Sequence, residues 1–175
     1  MQSIAKPGLG LLGALWGAAG LTLLLGFAIV RLTPIALEAL RSDLAWHQWL
    51  VLTAATGFMA YYEGYRGFQK AFSPRFAARC RYLQTHPTAL RVLLAPLFCL
   101  GWFGTTRRRQ MVTLILTLGI IAAILLVQHT SQPWRGIIDA SVVVGLTWGL
   151  ISSLLLTYVA LTAPTFNHSP EVPNT

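Results

Sequence analysis

Gly57-Phe-Met-Ala-Tyr-Tyr-Glu-Gly-Tyr-Arg-Gly-Phe-Gln-Lys-Ala-Phe-Ser-Pro-Arg75 is the stretch that decides the fold. An apolar, glycine-containing helix runs out here into three tyrosines, a carboxylate and the first of a series of arginines, as a helix does where it leaves a bilayer. The composition agrees: 55% of the 175 residues are apolar and 10% charged, with a mean hydropathy of +0.61. A soluble domain carries about 25% charged residues, so water is not the only solvent of this chain. The sequence predicts an all-α, polytopic membrane protein.

Upstream of the quoted stretch, Trp46, His47 and Trp49 open the same span, 46–67, and Tyr61, Tyr62 and Tyr65 close it, an aromatic belt at each end. Thr53, Gly57, Ala60, Gly64 and Gly67 alternate steps of four and three and predict one small-residue stripe for close helix packing. Further back, 8–30 is almost wholly apolar and long enough for a roughly 30 Å hydrocarbon core. It lacks the short core and cleavage site of a signal peptide. Pro34 is expected to end that helix, leaving 35–43 as a near-neutral turn or surface helix.

Downstream, Ser73-Pro74 predicts an N-cap and the start of a new helix. Phe76, Cys80 and Leu83 form its apolar side among Arg75, Arg79 and Arg81, a basic amphipathic helix lying on the membrane. The next apolar run, 92–103, is short, has Pro96 in its middle and is flanked by Arg91 and by Arg107, Arg108 and Arg109. It reads as re-entrant or interfacial, the whole of 74–105 staying at one surface, with a short fifth span as the alternative. Two further spans follow, 111–128 and 137–161, joined by a tight polar loop. Four transmembrane helices result, forming a single domain over 1–162 with a disordered tail over 163–175. Gly145 and Gly149 repeat the GxxxG of Gly13 and Gly17, so the first and fourth spans are expected to meet there.

The charge balance, 13 Lys+Arg against 5 Asp+Glu, gives +8. The arginines border apolar runs instead of forming a solvated face, so anionic lipid is the expected partner and nucleic acid is not. Most of them fall between Arg66 and Arg109, with no acid between Glu63 and Asp139. This places the middle loop and both termini in the cytoplasm, in a bacterial host at the inner membrane. Contacts to lipid or a partner are expected from Arg75, Arg79, Arg81, Arg107, Arg108 and Arg109.

Enzyme motifs are lacking: no HExxH, GxSxG, Walker A or paired carboxylates, so no catalytic residue and no cofactor is expected. Cys80 and Cys99 have no metal-ligand spacing and read as packing residues. His47 and His129 fall at the same outer edge, where a four-helix bundle can hold a haem, yet beside Trp and Ser/Gln they read as interfacial anchors. Glu63 with Arg66, and Arg135 with Asp139, have the spacing of interfacial ion pairs; Glu63 among tyrosines is equally the acid a small proton-coupled transporter would use.

EGYRGFQKAFSPR, PLFC and TRRR resemble small bacterial integral membrane proteins. The resemblance implies the membrane class and brings no activity. The reading that accounts for most features is an accessory or assembly subunit, bound to a membrane protein partner or to its own copies through glycine stripes and aromatic faces. A basic loop would meet lipid or an acidic partner.

Overall fold

The computed structural model describes residues 7–172 and, among them, helices and loops without a strand. The polar start and the last three residues of the expected tail lie outside the described residues. Three helices are long and apolar enough to cross a membrane: Gly8–Arg41, Arg107–Gln128 and Trp134–Thr162.

The first of these, α1 (Pro7–Arg41), runs through Pro34 without a break. Its 35 residues extend about 52 Å at 1.5 Å per residue. The expected stop at Pro34 is therefore corrected. A proline removes one N–H from the ladder, and nearby hydroxyls and packed neighbours can compensate. Here Thr33 Oγ1 donates to Ile29 O at 2.7 Å one turn back, while Ala36 and Ala39 are buried beyond it.

The expected second span is divided. α2 (Trp46–Met59) passes directly into a π-helical segment (Ala60–Phe72), which passes into α3 (Ser73–Thr85). Ser73 has helical backbone angles and caps nothing. Its hydroxyl instead reaches across to α7 (Trp134–Thr162), 3.1 Å from Ser152 Oγ and 2.8 Å from Ser153 Oγ. The α-helix expected from Ser73-Pro74 does begin there, with Pro74 in its first positions, but it continues the π-helical segment as one long rod and Ser73 is not its N-cap. The wide turn ends where Pro74 supplies no N–H.

α3 is not a surface helix. Phe76, Ala77, Ala78, Arg79, Cys80 and Leu83 are all buried, because α1, α7 and α5 (Ala95–Leu100) close around it. The run expected to be re-entrant forms α4 (Ala89–Leu93) and α5, folded against α1 with Ala95, Phe98 and Cys99 buried. Gly101, at φ +86, turns the chain out of α5 in a backbone conformation that side chains disfavour.

α7 is the central rod, packed on α1, α2, the π-helical segment and α3. Its buried face is small and polar, with Gly136, Ser141, Gly145, Gly149, Ser152 and Thr157 among its members. Small residues are what allow helix backbones to approach when lipid competes for every apolar surface. α6 (Arg107–Gln128) is the opposite case: none of its residues is buried, and among the helices it packs mainly on α7, while its first turn reaches the loop after α5 and the tail through Gln110 and Arg109.

The expected glycine partners are corrected. A Cβ at Gly17 would lie 2.7 Å from Cys99 Sγ, and one at Gly13 3.1 Å from Val92 Cγ2, so this GxxxG seats α4 and α5. Gly145 faces Glu63 and Gly149 faces Phe68. α1 and α7 meet closely at Gly136, against Ala39 and the carbonyl of Ile35. In the stripe expected over Gly57, Ala60, Gly64 and Gly67, Gly64 alone is buried, against Trp148; Gly57 and Gly67 are exposed. The π-helical turn changes the angular step between residues, so a stripe drawn at α-helical spacing does not stay on one face.

Residues 163–172, expected to stand free of the bundle, lie against its body. Arg81 donates to the carbonyls of Ala163 and Pro164, each at 2.7 Å, and Arg79 to that of Pro170 at 2.9 Å.

Candidate functional site

Both ends of the bundle follow from the connections. Ala39, His47 and Trp134 gather at one end, where His47 and Trp134 have ring centroids 6.3 Å apart. Gly10 meets the carbonyl of Gln84 at the other, beside the end of α7 that Arg81 grips through Ala160 O. This second end holds the arginines.

Its centre is Arg79, 3% exposed. Nε donates to Phe98 O at 2.7 Å, Nη2 to Phe103 O at 2.7 Å and Gly104 O at 3.1 Å, and Nη1 to Pro170 O. The guanidinium also lies 4.2 Å from the Phe98 ring centroid. Burial pushes this guanidinium down to about 10, still charged at neutral pH. A flat fork of donors suits carbonyls arriving from several directions, and Arg79 thereby ties the turn after α5 to the tail. It is a structural residue, not the lipid contact expected of it. Arg81 is likewise committed to tail carbonyls. Arg107 and Arg108 are exposed.

Arg75 and Arg109 are the other two of the six arginines expected to meet lipid or a partner. Arg109 Nε lies 3.7 Å from Glu171 Oε2, and Thr105 Oγ1 donates to Glu171 O at 3.2 Å. Arg75 Nε is buried with no hydrogen-bond partner among the described residues. Burial, then the neighbouring Arg109, lowers the Arg75 pKa. Glu171 was absent from the candidates. Its signal was legible, since it is the one acid after Asp139 in a chain of net charge +8.

Cys80 and Cys99 come together in the core, Sγ to Sγ at 3.5 Å, both free thiols. Contact with Cys99 and burial raise the Cys80 thiol well above its ordinary range, so it is a poor nucleophile.

Inside the bundle, Glu63 Oε2 is buried against Gly145 without a hydrogen-bond partner. It forms no ion pair with Arg66, which is exposed with its guanidinium 5.8 Å from the Tyr62 ring centroid. The expected pair is corrected for the same reason as the stripe: in the π-helical turn, three residues no longer make neighbours. Arg135 and Asp139, in regular α-helix, do approach, at 3.8 Å. His47 is occupied with Trp46 and Trp134, and His129 ends α6, so no described contact joins the two histidines. No group of three or more metal-ligating side chains occurs among the described residues.

No family model matches the chain, and neither a curated protein nor a solved structure matches it significantly.

Proposed function

We propose that the chain is an inner-membrane accessory or assembly subunit that crosses the bilayer four times, as α1, the α2 and π-helical rod, α6 and α7. The arginine end faces the cytoplasm beside anionic headgroups, and residues 86–105 stay at that surface. α6 carries this reading. It is 22 residues long, with a mean hydropathy of 2.5 and no buried position, whereas α7 is packed along its length. A span apolar all round and held at one side offers its surface to lipid and to another membrane protein.

A photocrosslinker at Leu118, in the middle of α6, tests this in native membranes. A discrete adduct with one other membrane protein supports the subunit role. Adducts with lipid alone, together with a monodisperse homo-oligomer on gentle extraction, overturn it.

The unpartnered Glu63 carboxylate favours a second reading, a small proton-coupled transporter working as a dimer. Glu63→Gln should then abolish proton-coupled flux in vesicles. Unchanged flux removes Glu63 from any coupling role.

A further inference from the structure

Arg75, Arg79 and Arg109 line one small pocket with Thr105, and among the described residues the one acidic side chain lining it is that of Glu171. The carboxylate fits loosely. Its distance of 3.7 Å from Arg109 Nε is beyond hydrogen-bond length, and Arg75 Nε is sealed from solvent with its N–H unused. A buried donor without an acceptor is costly, so the pocket has capacity for an anion with more oxygens than Glu171 supplies. The void left beside Glu171 is about 20 Å³, room for a water and no more. A larger anion therefore enters only by displacing the tail.

Displacing the tail exchanges the contacts of Thr105 with Glu171 O, of Arg79 with Pro170 O and of Val172 with the core. Glu171 has φ 51, the left-handed region that is unfavourable for a residue with a Cβ. Its own N–H is turned back onto Ser169 Oγ at 3.1 Å. Arg81 keeps its hold on Ala163 and Pro164 upstream, so the last residues can lift without freeing the whole segment. Lifting also releases the Arg79 Nη1 donor now spent on Pro170 O.

We propose that this pocket is a phosphate-binding site, taking the phosphodiester of an anionic lipid headgroup or free phosphate, and that Glu171 is its built-in competitor. Free phosphate offers four oxygens to guanidinium forks, and a phosphodiester offers two charged oxygens with two ester oxygens beside them, where a carboxylate offers two in all. The lipid source rests on the membrane reading above; the free-phosphate source does not.

Calorimetric titration of the full chain in neutral detergent tests it, using sodium phosphate and then short-chain phosphatidylglycerol and phosphatidylcholine of equal chain length. Phosphate and phosphatidylglycerol should bind, and phosphatidylcholine, whose phosphodiester carries a choline cation that the arginines repel, should not. Glu171→Gln should tighten binding several-fold by removing the competitor. Arg75→Gln and Arg109→Gln should weaken it roughly tenfold or more. Arg41→Gln, on the exposed last turn of α1 at the opposite end of the bundle with the same change in net charge, should bind as the parent does. Binding of phosphate without phosphatidylglycerol supports the site with a soluble ligand and counts against its use for lipid. Binding of phosphatidylglycerol alone assigns the lipid. Absence of both, an unchanged affinity in Glu171→Gln, or equal losses in Arg41→Gln and Arg109→Gln overturns the proposal. None of these results bears on the apolar surface of α6, so the subunit reading stands or falls separately. If Arg75→Gln fails to elute as a single species, Glu171→Gln, which alters only the tail, still decides.

Discussion

At the scale of residues, the positions that matter are those whose neighbours come from far along the chain. Arg79 satisfies carbonyls of Phe98, Phe103, Gly104 and Pro170, so Arg79→Ala leaves buried acceptors bare. It should destabilise the protein by roughly 3 kcal/mol or more, read as a lower unfolding temperature in detergent. Arg79→Lys should rescue little, because a compact ammonium cannot reach the same fan of acceptors. Glycines divide in the same way. A Cβ at Gly57 meets nothing within 4 Å, and Gly57→Ala should be neutral or stabilise by about 0.5–1 kcal/mol through helix propensity. A Cβ at Gly145 would press into the Glu63 carboxyl at 2.6 Å, and Gly145→Val should cost about 1–3 kcal/mol by overpacking. The same thermal assay separates the two. Both glycines sit in small-residue patterns in the sequence; which one carries a partner was not legible, because that depends on the opposing helix and on the local turn.

At the scale of elements, hydrophobicity identified α1, α6 and α7 and left their surroundings open. Leu21 in α1 is 1% exposed and Leu118 in α6 is 56% exposed, though each sits in an equally apolar run. Leu21→Ala should cost about 2–5 kcal/mol and Leu118→Ala much less, measured by the same unfolding assay in matched detergent. Equal losses would mean that α6 is packed within the protomer after all. The α3 pattern was legible as amphipathic, with Phe76, Cys80 and Leu83 on one side. Sequence alone points that face to lipid, because arginines beside apolar runs have the pattern of surface charges. Carbonyls exposed by the turn after α5 and by the tail gave those arginines an internal use instead, and no local pattern announces such acceptors.

For the whole molecule, the connections place the loop at Ser42 and the loop at Thr106 at opposite ends of the bundle. A cysteine introduced at Ser42 should react with a membrane-impermeant maleimide added outside intact cells, and one at Thr106 should react only after the membrane is opened. Labelling of Thr106→Cys from outside would reverse the proposed orientation. The buried native Cys80 and Cys99 should stay silent until denaturation. By itself the sequence determined the class: long apolar runs have no place in water, and three of them emerge as helices able to cross a membrane. Only the tertiary structure decided that α3 is interior, that the π-helical segment turns Glu63 onto Gly145 and away from Arg66, and that the tail brings Glu171 to the arginines. Solvent preference is a property of each segment and can be summed along the chain, whereas the partner of a buried charge is set by where distant segments come to rest.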